Sequence, residues 1–345
     1  LEWLAHCNLH AMAHFAACRQ GRTDRGHWAP SADGTPSDFR HGMVMPSTGY
    51  RCPPAREESS GTCHAMPALL EQLELDTTLL ECHRFADRVD MIDRLDELLM
   101  PGSSDGVNNF EHLHVRARDM LDALEVANAR VCADIRDAVI RGEGAPCLRA
   151  WLDKLGGLGA PSDGYDHADA LVAGMFDFAN VHDSGAAPGE DMVFYQPTPV
   201  RHVVAMIDKL ALGPGDTLVD IGSGLGHVPM LVNILAGVST IGIELQAPLV
   251  ERASETAQAL GLQGVSFVHG DARAADLSAG TVFYLYTPFK GAVMDEALAR
   301  LADEARDRPL RIATFGPCTS RVGAEPWLVS REVLGEGCVC VFHPR

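Results

Sequence analysis

Apolar positions recur at helical spacing through the first half of the chain and give way to short strand-like runs in the second. Leu79/Leu80, Ile92, Leu95 and Leu98/Leu99 form one stripe, broken by Pro101-Gly102. A second stripe runs Phe110, Leu113, Ala117, Leu121, Leu124, Val131, Ile135 and Val139 and stops at Gly142. Positions three and four apart share a helix face, so the spacing predicts two long amphipathic helices within a helical region from Pro67 to about Leu155. Their stripes read as core.

The pattern changes after Gly213-Pro214-Gly215. Short apolar runs predict strands at Thr217–Ile221, Thr240–Glu244, Val265–His269, Thr281–Tyr286 and Leu310–Phe315. Helices are expected after the first strand, near Leu249–Leu260 and over about Gly291–Ala305. Strand alternating with helix implies a parallel sheet covered on both faces. Trp327–Val333 and Cys338–Phe342, around Gly335-Glu336-Gly337, predict a closing antiparallel hairpin. Between the halves lie a Gly/Pro-rich joint at residues 156–165, a helix from about His167 to Asn180, a loop over His182–Glu190 and a helix ending near Leu212. The fold class expected is α/β, a mostly parallel sheet with an antiparallel C-terminal hairpin plus an N-terminal α-helical domain.

Residues 19–66 are rich in Gly, Pro, Ser, Arg and Thr without an apolar period. The expected organisation is a low-complexity, poorly ordered leader at 1–66, a helical cap or substrate domain at 67–160, and a ligand-binding domain at 161–345. Met66 opens the helical pattern, so a native start near it is one expectation. No run of about 18 or more apolar residues occurs, so no membrane partner is expected.

Charge narrows the function classes. With 28 basic and 47 acidic side chains the net charge is −19. That argues against nucleic acid as a partner, since a basic footprint is needed to displace counterions from phosphates. The acidity is concentrated: residues 67–195 hold 10 basic and 25 acidic side chains, whereas residues 196–345 hold 12 and 16. The ten Cys read as reduced thiols of a cytoplasmic protein, because a chain of 345 residues is not a small stapled scaffold and no secretory signal is seen. No metal is expected. His6, His10 and His14 share one helix face, but three successive turns cannot wrap a tetrahedral ion, and Cys7, Cys18, Cys52 and Cys63 lack CxxC spacing.

The chemistry-bearing segment is Asp220-Ile-Gly222-Ser223-Gly224-Leu-Gly226-His227, which follows a strand and opens a helix. Glycines let the backbone turn sharply and let a ligand lie against bare main chain, and the helix start adds unpaired N–H groups. Glu244 ends the next strand, where a carboxylate can accept both hydroxyls of a ribose. Asp271 follows the third strand in His269-Gly270-Asp271-Ala272, placed to accept from the exocyclic amine of adenine. All three lie at carboxyl ends of successive strands, where open α/β sheets bind ligands. A nicotinamide fingerprint starting at Gly222 would put its third glycine on His227, so a dehydrogenase fits poorly.

This ordered set resembles the class I S-adenosylmethionine-dependent methyltransferases over about residues 190–345. The resemblance implies a Rossmann-like fold and S-adenosyl-L-methionine as cofactor. Its first motif falls on Val219–Gly226, its ribose acid on Glu244 followed by Leu245, its adenine acid on Asp271 between Gly270 and Ala272, and its fourth-strand motif on Phe283–Phe289, with Tyr286 and Pro288 facing the cofactor. Two segments look like the non-SET histone lysine methyltransferases: Tyr195-Gln-Pro-Thr198 and the Phe289-containing stretch. Tyr286-Thr287-Pro288 departs from that family's Asn-rich segment, and Gln196-Pro197 from its Gly-Glu pair.

The implied reaction is in-line displacement at the sulfonium methyl, in which the protein supplies alignment and excludes water. A base is needed only if the acceptor begins protonated. Tyr286, Tyr195 and His227 are the catalytic candidates, with His182 behind them; each has an alternative as an ordinary packed or loop residue. Tyr195 and Thr198 are expected to close over the methionine portion of the cofactor. The first reading is methyl transfer to a small molecule. A protein lysine acceptor, drawn by the acidic middle, is the second, and a non-catalytic cofactor-binding scaffold the third. The long striped helices leave room for a homodimer.

Overall fold

The computed structural model describes residues 62–99, 111–156, 164–178 and 196–345. His6, His10, His14, Cys7, Cys18, Cys52, His182 and Tyr195 lie outside them.

The apolar stripes become helices. They are α1 (Thr62–Leu75), α2 (Phe85–Leu99), α3 (Glu111–Ile140), α4 (Gly144–Lys154) and α5 (His167–Phe176). Leu79 and Leu80 precede α2; Leu79 is buried and Leu80 exposed. In α5, Asp166 and Asp169 form a capping box that satisfies the free N–H groups of the first turn. The helix ends at Phe176 rather than near Asn180 because Asp177 turns left-handed (φ 56°) and its N–H bonds back to Ala173 O.

Seven strands form one sheet in the order β3-β2-β1-β4-β5-β7-β6. They are β1 (Thr217–Ile221), β2 (Ser239–Glu244), β3 (Val265–His269), β4 (Val282–Leu285), β5 (Arg311–Thr314), β6 (Leu328–Val329) and β7 (Cys340–Pro344). The first five pair in parallel, and β7 runs antiparallel between β5 and β6. The connecting helices are α6 (Val200–Leu210), α7 (His227–Ala236), α8 (Ala247–Ala259), α9 (Gly291–Asp307) and the short α10 (Cys318–Gly323).

Strand side chains alternate between two cores. Phe283 and Leu285 of β4 pack with Met294, Leu298 and Leu301 of α9. Val282 and Tyr284 face the other way, into a core shared with α6, α7 and the helical region. The second stripe divides along its length. Leu113, Ala117, Leu121 and Leu124 pack with α1 and α2, whereas Val131, Ile135 and Val139 join the sheet's core. Most of α7 is buried because it lies between the sheet and α4, which explains its apolar sequence. Among the described residues, no helix is long and apolar enough to cross a membrane.

Candidate active site

The strand order reverses at β1, where β2 departs to one side and β4 to the other. Such a switch point opens a crevice at the strand tips. Here it is a cleft of about 250 Å³, whose lining includes Gly222, Glu244, Leu245, Gly270, Asp271, Ala272, Tyr286 and Pro288. The two acids therefore share one cleft.

The glycine loop is held by main-chain bonds. The N–H groups of Gly222 and Ser223 both donate to Ile243 O, at 2.8 and 3.0 Å. Gly222 has φ +82°, and a Cβ there would meet the Pro288 Cβ at 2.5 Å, so the loop and the segment after β4 touch only because the side chain is absent. Glu244 is buried. Its Oε2 accepts from Gly224 N and its Oε1 from Gln246 N, both at 2.9 Å. Each oxygen keeps acceptor capacity for a ligand hydroxyl.

Asp220 lies beneath the loop. Burial, then the charge of Glu244, pushes its carboxyl up to about 8. It carries its proton at neutral pH. Asp271 is the opposite case. The Arg273 guanidinium and backbone N–H bond to it and hold it below the usual carboxylate range. Arg273 reaches on to Glu296 at 3.2 Å.

Toward the expected methyl-facing end, Tyr286 is half-buried and packs on Phe315 with ring centroids 4.9 Å apart; Phe315 stacks on His202 at 4.0 Å. Burial raises the Tyr286 hydroxyl above its ordinary value, so it too stays protonated. Thr198 is buried and bonds the Tyr284 hydroxyl at 3.0 Å, which ties the strip before α6 to β4.

Thr198, Asp220, Ser223, Gly224 and Gly226 support the cleft from behind and are not among the residues that line it. Gly226 has φ +78° and lies against the Phe267 ring, which closes the packing of loop on sheet. His227 is buried between Phe176 and Phe178, with centroids 5.8 and 4.6 Å away, and burial lowers it to about 3. It is a neutral ring in the core rather than a group at the cleft. Sequence reading passed over Gln196, Gln246, Arg273, Lys290 and Pro317, which also line the cleft. Of these, Arg273 had a signal, since an Asp two residues ahead readily caps a turn. Among the described residues no group of His, Cys, Asp and Glu is arranged to hold a metal ion.

Comparisons with known proteins agree with this geometry. The family described as Protein-L-isoaspartate(D-aspartate) O-methyltransferase matches residues 190–276. The 23S rRNA (uracil(1939)-C(5))-methyltransferase RlmD of Shewanella sp. (strain MR-4) is 38% identical over 76 residues, 22% of this chain and 16% of the relative. A protein-L-isoaspartate O-methyltransferase of Methylorubrum extorquens (strain PA1) is 35% identical over 96 residues, 28% of this chain and 41% of the relative. The chain thus spans less than half the length of either. An RNA methyltransferase from Salinibacter ruber, solved with S-adenosyl-L-homocysteine, is 25% identical, with a TM-score of 0.35 over 43% of this chain and 92% of that one.

Strand order, glycine loop and paired acids, with the matched family, define a class I S-adenosylmethionine-dependent methyltransferase domain. The family match covers residues 190–276, the part that carries the loop and both acids.

One expectation is corrected. Nucleic acid was excluded and a small molecule preferred over a protein as acceptor, yet these relatives are named for rRNA and for protein. The exclusion rested on the charge of the whole chain. Of the 47 acids, 25 lie in residues 67–195, while the cleft is lined by Arg273 and Lys290 as well as by its two acids. Net charge therefore does not report the charge at the mouth.

Proposed function

We propose that the chain transfers a methyl group from S-adenosylmethionine to a carboxylate oxygen of a protein acceptor. The observation that carries the cofactor half is the single cleft bounded by Gly222, Glu244 and Asp271 at the sheet's switch point. When bound, the cofactor supplies an electrophilic methyl group on a positively charged sulfur. Glu244 is suited to accept from ribose hydroxyls, Asp271 from the adenine amine, and Leu245 offers the base an apolar surface. Asp220, beneath the loop, gives the cofactor's cationic end a carboxyl that can ionise in response.

The acceptor half is supported by the family match and by the state of the lining groups. Glu244 and Asp271 are engaged by N–H donors, and Tyr286 holds its proton. A carboxylate, already ionised at neutral pH, needs no proton removed before it attacks. Alignment by Tyr286 and exclusion of water by Pro288 and Phe289 then suffice.

The test is incubation with methyl-labelled S-adenosylmethionine and three acceptors: an isoaspartyl peptide, its aspartyl counterpart and a uracil-containing RNA. Base-labile label on the isoaspartyl peptide alone is the expected result. Base-stable label on the RNA, with none on either peptide, would replace the acceptor and leave the cofactor assignment standing.

A further inference from the structure

The helical region reaches the cleft at one place. Tyr165, just before α5, donates its hydroxyl to Pro197 O at 2.8 Å. The Gln196 carboxamide lies within hydrogen-bonding reach of the same hydroxyl, and Tyr286 is its neighbour. Two further contacts tie the same segments together. Val200 N donates to Asp169 Oδ1 at 2.8 Å, and Arg201 donates to Asp166 Oδ2 at 3.3 Å and to Gly164 O. Asp169 Oδ2 also accepts from Asp166 N at 2.7 Å, so one carboxylate caps α5 and anchors the start of α6.

The strip at residues 196–199 is therefore clasped on one side by residues 164–169 and on the other by the bond from Thr198 to Tyr284. Of its residues, Gln196 alone lines the cleft, and its side chain is exposed. A flexible carboxamide at a cleft wall presents one rotamer only when something behind it holds it. Tyr165 stands there, with a hydroxyl whose donor is spent on Pro197 and whose oxygen remains free to accept from the Gln196 amide.

We propose that Tyr165 is a positioning residue for methyl transfer, its hydroxyl fixing the Gln196 carboxamide beside Tyr286 at the acceptor-facing end of the cleft. This rests on the cofactor reading above. Tyr165 touches no reacting atom; it acts through Gln196. The helical region thereby contributes directly to the shape of the site.

A double-mutant cycle on the full chain tests it, with S-adenosyl-L-homocysteine titrated calorimetrically into wild type, Tyr165→Phe, Gln196→Ala and the double variant. Tyr165→Phe keeps the ring and its packing, and its melting temperature serves as the check on folding. Each single change is expected to weaken binding about fivefold, the scale of one hydrogen bond, and the double change also about fivefold, because the second removes nothing further. Penalties that multiply to about 25-fold, or a Tyr165→Phe affinity within about twofold of wild type, would overturn the positioning role alone. Wild type that fails to bind would overturn the cofactor reading, and this role with it.

Discussion

Glu244 accepts a hydrogen bond from Gly224 N at 2.9 Å, so the carboxylate at the end of β2 also closes the glycine loop after β1. One side chain thus serves loop geometry and ligand recognition. Glu244→Gln sets an amide N–H against a backbone donor, either Gly224 or Gln246. The expected loss is about 1–3 kcal/mol of stability, read by thermal melting, and at least about tenfold in S-adenosyl-L-homocysteine affinity.

Asp220 makes stability depend on pH. Its carboxyl is held up to about 8 by burial and by the charge of Glu244, whereas in the unfolded chain it ionises in the ordinary range. Between those limits the folded state binds one proton more than the unfolded state, so this group's contribution falls as pH rises. Asp220→Asn removes the dependence. In cofactor-free protein, melting temperatures of wild type and variant are expected to agree near pH 4 and diverge toward pH 8.5, with the Asn form the more stable. Parallel curves would contradict this.

Gly222 tests the contact between loop and fourth strand. Alanine there meets both a left-handed backbone and the Pro288 Cβ at 2.5 Å. Gly237, at φ +70° with no atom within 4 Å, shares the backbone constraint alone. Both changes are expected to cost about 1–3 kcal/mol from conformation. Only Gly222→Ala is expected to abolish detectable cofactor binding by calorimetry.

Arg88 anchors the helical region. It is fully buried, donating to Asn128 Oδ1 at 2.7 Å and to Leu79 O and Glu81 O at 2.8 and 2.5 Å. Arg88→Ala leaves those acceptors unpaired and opens a cavity, for an expected loss of about 3–5 kcal/mol by chemical denaturation. Affinity for S-adenosyl-L-homocysteine in the surviving folded protein is expected to stay within about twofold of wild type.

The sheet could be read from the chain because each buried strand is a short apolar run set off by turn residues. Thr217–Ile221 and Val265–His269 are observed with the bounds expected of them. The six-residue α10 escaped notice, being too short to show a period. At the site, Gly222, Glu244 and Asp271 could be found because their roles depend on place relative to strand ends. Tyr165 and Gln196 could not, because their meeting depends on how two loops fold onto one another across 31 residues. His227 misled for the opposite reason. Its position at a helix start beside the loop suggested a cofactor contact, and only the packing shows Phe176 and Phe178 around it.

The central claim is that Glu244 and Asp271 grip the two ends of one nucleoside. Calorimetric titration of wild type, Glu244→Ala and Asp271→Ala with S-adenosyl-L-homocysteine tests it most directly. The expected result is one site of low-micromolar affinity in wild type and at least about tenfold weakening in each variant. Absence of binding in wild type, or equal affinity in all three proteins, would contradict it.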